Sequence, residues 1–364
     1  MIVNSGEKVS HFFANELQNR YYHYLFLSNA KKWIGTKQYN VDSAFQQESI
    51  AYWKKHSGLK INPLWHNFYF SRNGIRDVRY IPENIYYSKI EPHLNRKDFA
   101  QAIDDKCFYS ERFPVDAVDG GVHRPCALLR NVGGIFFDTD FTVLGSQQAA
   151  KNLSSVDSGY VIKESITGSG GNRILFVEPG HTKTQEELLA VFEKYHSDFV
   201  VESIIDQCEE MSSLNSSSIN TIRFITYLNQ KGVHLLSAVL RIGADGSRTD
   251  NFSTGGIGVG ITLDGKLKSV AYNQHYEQFF THPNGTQFAG FAVPSFERAK
   301  DLVLTLHRRF GHFRIISWDV AIGINYEPVL IEFNITPQSI DLHQINNGPL
   351  FGEYTEEVLS EVFV

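Results

Sequence analysis

The chain has 364 residues, enough for two or three packed units, and its 42% hydrophobic and 20% charged content is that of an ordinary globular protein. A net charge of −6 with no basic tract argues against non-specific nucleic-acid binding. No segment reaches the ~18 apolar residues of a membrane span, and MIVNSGEKVSHFF lacks a signal-peptide core. Cys107, Cys126 and Cys208 form no C-x-x-C pair, which argues against a disulfide framework or a zinc site and for a reducing cytoplasm.

Residues 1–100 are rich in aromatic, basic and amide side chains, and they read as a mainly helical region. SHFFANELQNRYYHYLFLSNAKKW carries Phe12, Leu17, Tyr21, Tyr24 and Leu25 at helical spacing. NPLWHNFYFSRN and IPENIYYSKIEPHLN, punctuated by proline and asparagine, read as helix ends and connections. Their tyrosines and histidines are expected at packing interfaces.

The texture changes at Asp104-Asp105-Lys106 and opens a segment over 101–152. There ALLRNVGGIFFD predicts a hairpin closing at Val132-Gly133-Gly134, and TVLGSQQAAKNL a short helix. A Ser/Asp/Gly turn from Ser154 to Gly159 marks a boundary. The module over 153–205 reads as strand YVIKES, glycine loop ITGSGGNR, strand ILFVE, a helix in TKTQEELLAVFEKYHS with Thr184 and Glu187 as a capping box, and strand DFVVESII.

Residues 206–364 alternate strands and turns: INTIRFITYL, VHLLSAVLRIG, DNFSTGGIGVGITLD and KLKSVAY. A helix is predicted from Ser295 to Phe310, between Pro294 and Gly311. A hairpin, FRIISWDVAIGINYEPVLIEFN, follows, then a Pro/Asn/Gly-rich tail and a short helix from Tyr354 to Phe363. The pattern as a whole is α+β.

The last hairpin carries the most chemistry. Glu332 and Asn334 are two apart on a strand and leave the same face. Asp319 stands 13 residues before Glu332, the right length for a hairpin to bring the two alongside. Two carboxylates and an amide oxygen on rigid strands suit a hard cation such as Mg²⁺, which takes further oxygens from water and phosphate; a polar strand edge has the same E-x-N pattern.

Metal with phosphate requires something to hold a nucleotide. Lys163 lies on a strand before Gly168-Ser169-Gly170-Gly171, whose backbone can approach phosphate closely. This is neither G-x-x-x-x-G-K-[ST] nor G-x-G-x-x-G, and tight hairpins also collect glycine. Glu202, followed by Ser203, Ile204 and Ile205, ends a strand where the module rejoins the chain. A hinge there can offer polar groups to an adenine edge and apolar ones to its ring. Asn220, Arg223 and Arg241 place amide and guanidinium groups along two strands, where a fork can hold carboxylate or phosphate. Asn251 with Ser253-Thr254-Gly255-Gly256 forms a donor-rich turn; solvated surface strands give the same pattern one residue at a time.

Taken in order, these features resemble the ATP-grasp superfamily. More narrowly, SINTIRF, LRIG…DNFSTGGIGVGI, THPNGTQFAGFAVPSF and WDVAI…LIEFN resemble the sugar-transfer-associated ATP-grasp family, over about residues 100 to 345. The resemblance implies an ATP-grasp fold whose small lid (153–205) and larger catalytic lobe (206–364) clamp ATP, with the N-terminal helices as an extension. It implies Lys163 as the lid lysine, Lys106 as a first ATP lysine, Glu202 as the adenine-hinge acid, and Asp319, Glu332 and Asn334 as metal ligands. Arg223 and Arg241 correspond to the arginines near the γ-phosphate and the acyl-phosphate oxyanion, with Asn251 close by. Asp206, Glu209 and Glu210 remain alternatives for the ribose contact. The activity implied is that of an ATP- and Mg²⁺-dependent ligase joining a small carboxylate to an amine through an acyl phosphate, in surface-polysaccharide or glycoconjugate assembly. A phosphotransferase and a non-catalytic ATP-binding protein are the rival readings. A dehydrogenase is disfavoured, because no Gly-rich turn follows a first strand and opens a helix.

Overall fold

The computed structural model describes residues 3–34, 39–96, 99–100, 103–108, 122–166, 173–243, 246–252 and 255–363. The N-terminal region is helical: α1 (Val3–Trp33), α2 (Ser43–Ser57), α3 (Leu64–Asn73), α4 (Glu83–Ile85), a π-helical turn (Tyr86–Ile90) and α5 (Glu91–Leu94). The Asp42 carboxylate caps α2 by accepting from the Phe45 N–H, and Gly58 ends it at φ 70°. The two segments expected as connections are helices. Pro63 and Pro82 stand at their N-caps, where a missing N–H costs no hydrogen bond, so the prolines start helices instead of breaking them. Trp65, Tyr69, Tyr80 and Tyr86 are fully buried there. None of the described helices is long and apolar enough to cross a membrane.

The smaller sheet runs β3-β2-β1-β6-β4-β5, with β1 (Ala127–Val132), β2 (Ile135–Phe137), β3 (Val143–Leu144), β4 (Tyr160–Glu164), β5 (Ile174–Val177) and β6 (Phe199–Ser203). Gly133 and Gly134 turn the first hairpin at φ 57° and 87°, a left-handed pair that glycine adopts without strain. α6 (Ser146–Ser154) and α7 (Gln185–Tyr195) cover one face through Ala149, Leu153, Leu188 and Phe192. The capping box at α7 forms, with Thr184 and Glu187 each bonding the other's backbone. Because β1 pairs with β6, strands on either side of residue 153 share one sheet.

The larger sheet runs β11-β10-β9-β8-β7-β12-β13: β7 (Thr221–Asn229), β8 (Gly232–Ile242), β9 (Ile257–Ile261), β10 (Leu267–Asn273), β11 (Gln278–Phe279), β12 (Ile315–Ile322) and β13 (Pro328–Asn334). After β6 comes α8 (Glu209–Leu214). α9 (Phe296–His307) packs on one face against Ile222, Phe224, Val259 and Trp318. It ends three residues before Phe310, where the chain tightens into a turn with Arg308 N–H bonded to Leu306 O.

The opposite face meets a helix that the sequence pattern does not announce, α10 (Asp341–Asn347), in the tail expected to be irregular; α11 (Thr355–Phe363) closes the chain. Its approach depends on two glycines of β9. A Cβ at Gly258 would stand 2.5 Å from Leu342, and one at Gly260 2.4 Å from Asn347.

Three buried histidines make stability pH-dependent, His343, pushed down to about 3 by burial, together with His66 and His307. His66 and His307 are fully buried, and burial pushes each imidazole down to about 4, although each has a backbone carbonyl at hydrogen-bond distance. The unfolded chain therefore binds more protons between about 4 and 6.5. The stability these neutral rings contribute is present above 6.5 and is lost as pH falls toward 4, on the order of 3 kcal/mol for each ring. Urea unfolding is expected to show a lower midpoint at pH 4.5 than at pH 7, with a shallower pH slope in His307→Gln.

Candidate functional site

One row of side chains crosses three strands of the larger sheet. Arg223 on β7 is in register with Asp319 on β12, which is in register with Glu332 on β13. The two acids do lie side by side, through a bulge between Asp319 and Val320 without which the pairing of Val320 with Leu330 would set Asp319 opposite Ile331. Arg223 grips Asp319 with both arms of its fork, Nε to Oδ1 at 2.7 Å and Nη2 to Oδ2 at 2.5 Å. Arg241 on β8 donates to the same Oδ2 at 3.0 Å, and its Nη2 reaches Asp250 Oδ1 at 2.8 Å and Asn251 Oδ1 at 2.7 Å. The Thr221 hydroxyl donates to the other Asp250 oxygen.

Burial acts most strongly on Asp319 and would raise its carboxyl pKa, but the Arg223 and Arg241 guanidiniums outweigh it and hold the group down to about 2. Asp250 goes the other way, since burial outweighs Arg241 and pushes it up.

Glu332 keeps free coordination. Its side chain is 28% exposed and its Oε2 lies 3.7 Å from Lys106 Nζ. Asn334 projects from the same face two residues on, 3.5 Å from Glu332 Oε1. This donor set fits a hard cation. Three of the roughly four lone-pair directions of Asp319 are taken by guanidinium N–H groups, which leaves one, while Glu332 and Asn334 face the cavity with little else to bind.

The smaller sheet supplies the other wall. Glu202 on β6 is in register with Val161 on β4, so Lys163 sits diagonally across from it and reaches Glu202 Oε2 at 2.5 Å. Ile204 and Ile205 follow β6, and with Phe176 on β5 they line the same cavity. The loop Gly168-Ser169-Gly170-Gly171 lies outside the described residues, as do Ser253 and Thr254. Of the three acids considered for the ribose, Asp206 lines the cavity, while Glu210 accepts from the Tyr326 hydroxyl at 3.1 Å. Asn220 turns away from the cavity; fully buried, it donates to the Met211 and Asn215 carbonyls at 2.7 and 2.9 Å.

The cavity between the sheets measures about 1030 Å³, and its lining includes Lys106, Lys163, Glu202, Ile204, Arg223, Arg241, Asn251, Asp319, Glu332 and Asn334. Sequence reasoning missed Asp250, Thr221 and Asp341, which also line it. Asp250 stands next to Asn251, so an acid beside a polar turn was a usable signal; nothing local marks Asp341.

The family model described as sugar-transfer-associated ATP-grasp matches residues 86–358. No curated protein matches the chain. Among solved structures, the biotin carboxylase domain of a 2-oxoglutarate carboxylase from Hydrogenobacter thermophilus, in complex with MgADP, ADP and bicarbonate, is 14% identical, covering 71% of this chain and 45% of its own, with TM-score 0.41. An N5-carboxyaminoimidazole synthase from Aspergillus clavatus, with ADP and an aminoimidazole ribonucleotide, is 10% identical over 74% of this chain and 56% of its own, TM-score 0.41. D-alanyl-alanine synthetase A from Vibrio cholerae is 15% identical over 72% and 66%, TM-score 0.40. The chain thus spans less than two thirds of the length of each, and the likeness is one of fold alone.

Proposed function

The chain belongs to the sugar-transfer-associated ATP-grasp family, and from that premise we propose that it is an ATP- and Mg²⁺-dependent ligase joining a small carboxylate to an amine in polysaccharide or glycoconjugate assembly. The observation that carries this reading is the in-register row Arg223–Asp319–Glu332 facing Lys106 and Lys163 across one cavity. Such a site suits phosphoryl transfer, where catalysis is mostly positioning and charge neutralisation.

In this reading Ile204, Ile205 and Phe176 hold the adenine, Glu202 accepts from its amino group, and Asp206 meets the ribose. Lys163 and Lys106 bind phosphate oxygens in exchange for the carboxylates they pair with in the free protein. Glu332, Asn334 and the remaining lone pair of Asp319 would hold Mg²⁺, which supplies charge neutralisation of the phosphates. A carboxylate oxygen of the substrate attacks the γ-phosphorus, the bond to the β,γ-bridging oxygen breaks, and ADP leaves. Arg241, fixed by Asp250 and Asn251, stabilises the charge that develops when the amine nitrogen attacks the acyl carbon. Phosphate departs with its bonding pair, and the nitrogen gives up a proton to leave a neutral amide. No nucleophilic side chain is required. The three cysteines, free in the fold, suit a reducing cytoplasm.

The direct test is a screen of carboxylate and amine pairs for ADP and phosphate release, with mass analysis of the product. An amide supports the ligase; a stable phosphoester would replace it with a phosphotransferase, and MgATP binding without turnover on any pair with a non-catalytic protein. Lys163→Met is expected to weaken ATP binding roughly ten- to a hundredfold, as loss of a charge-assisted phosphate contact should, read by isothermal titration calorimetry. Unchanged affinity would remove Lys163 from the phosphate site.

A further inference from the structure

Lys106 reaches the cavity from a segment that is a strand of neither sheet. It opens a single 3₁₀ turn, Lys106–Phe108, and its Nζ faces Glu332 of the larger sheet on a side chain only 10% exposed. The backbone of that turn is tied to the smaller sheet. The Lys106 N–H donates to the Ser165 carbonyl at 3.0 Å, just past the end of β4, and the buried Cys107 thiol donates to the Phe199 carbonyl on β6 at 3.5 Å.

A turn this short makes few hydrogen bonds of its own, and a third tie comes from a side chain. Arg130 on β1 is 3% exposed. Its Nε donates to the Cys107 carbonyl and its Nη1 to the Asp138 carbonyl, each at 2.8 Å. The guanidinium lies 4.3 Å from the centre of the Phe141 ring, which stacks in turn on Phe108, the last residue of the clamped turn, at 6.1 Å. Phe141 holds φ 61°, a left-handed backbone that a bulky residue adopts only against strain. Burying a guanidinium and straining a phenylalanine to cover it are both costly, and an apolar side chain would fill this place in the sheet without either cost. What the arginine adds is a rigid fork that spans two loops. Of the three residues in the clamped turn, Lys106 is the one that lines the cavity.

We propose that Arg130 is a positioning residue for phosphate binding: it fixes the Lys106 turn on the smaller sheet and so holds the Lys106 ammonium at a set spacing from that of Lys163. This rests on the ATP reading of the cavity. Lys163 stands two residues before Ser165, so one short stretch of chain carries the second lysine and anchors the first. The two cations are thereby presented to a polyphosphate as a unit, while the acids that would hold Mg²⁺ stand on the larger sheet. Lys106 is the binding residue, and Arg130, buried behind the turn, acts through it.

The test is a double-mutant cycle on the whole chain, read by titration calorimetry with MgATP and no acceptor. Lys106→Met is expected to weaken MgATP binding roughly ten- to a hundredfold. Arg130→Met should lower the urea midpoint and weaken MgATP binding about tenfold, yet cost less than about twofold once Lys106 is already methionine. Arg130→Gln, which keeps a single amide donor in place of the fork, should show the same dependence on Lys106, and it completes the cycle if Arg130→Met does not fold. Adenosine, which has no phosphate, should bind every variant alike. Unchanged MgATP affinity in a folded Arg130 variant, the same fold-loss with Lys106 absent as with it present, or a parallel loss of adenosine binding would each overturn the assignment. Unchanged affinity in Lys106→Met would remove Lys106 from the phosphate site and the proposal with it. Failure of the unaltered chain to bind MgATP would instead overturn the ATP reading beneath both.

Discussion

Glu332→Gln is expected to lower substrate-dependent ADP release by about 10²–10³, or ~3–4 kcal/mol of transition-state stabilisation, with little change in melting temperature. The substitution is isosteric. It keeps an oxygen at the same place on β13 and removes one negative charge at a position where the folded protein barely relies on it. The Glu332 side chain is 28% exposed, and its ion pair with Lys106 is long, at 3.7 Å, so its contribution to stability is small. Catalysis is different, because Asp319 is committed to Arg223 and Arg241. Glu332 is then the acid freest to meet a divalent cation, and an amide in its place leaves that cation with an arginine-neutralised carboxylate and two amides. Glu332→Asp, with the charge retained on a shorter arm, should recover part of the rate. A coupled assay for ADP across a magnesium titration reads both effects, since the glutamine variant should also need more magnesium. Turnover like that of the unaltered chain in purified Glu332→Gln would remove the cation site from β12 and β13.

Much of this row was legible before the fold was known. The apolar run into Asp319 and the E-x-N alternation mark two strands of one hairpin but not its register: the turn pairs Ile322 with Pro328 and Val320 with Leu330, and only a bulge between Asp319 and Val320 brings Asp319 beside Glu332 instead of Ile331. Arg223 is likewise set apart from Ile222 and Phe224 by period-2 alternation. What local pattern does not carry is pairing at a distance. β1 joins β6 across more than sixty residues, so a sheet runs through the turn that marks a boundary in the sequence. α10 was hidden for another reason. Its seven residues, DLHQINN, hold only two aliphatic side chains, and propensity alone does not favour a helix there. Gly258, Gly260 and the hydrogen bonds from Asn73 and Ile81 make it one, and these lie up to 272 residues away. The prolines at 63 and 82 misled in the opposite sense, since a proline reads as a break unless the helix that starts at it is recognised.

The second large effect is expected at Arg241, and it should appear in stability as well as rate. Arg241 is 5% exposed and bridges two buried acids, Asp319 and Asp250. Arg241→Met keeps much of the side-chain volume and removes the bridge. Asp319 then has Arg223 alone, and Asp250, whose pKa burial already raises, keeps the Thr221 hydroxyl and the more distant charge of Arg223. Removing one partner of a buried ion pair costs about 3–5 kcal/mol, because the other charge stays desolvated and uncompensated. The chain is therefore expected to unfold at markedly lower urea in Arg241→Met. The double variant Arg241→Met/Asp250→Asn should regain part of the loss by removing the stranded charge. Activity should not follow stability back. With Asp250→Asn restoring the fold, the oxyanion still lacks its guanidinium, so ADP release coupled to product should stay depressed by about 10²–10³. A rescued fold with a rescued rate would make Arg241 a purely structural cation, whereas a rescued fold with a depressed rate assigns it to the reaction.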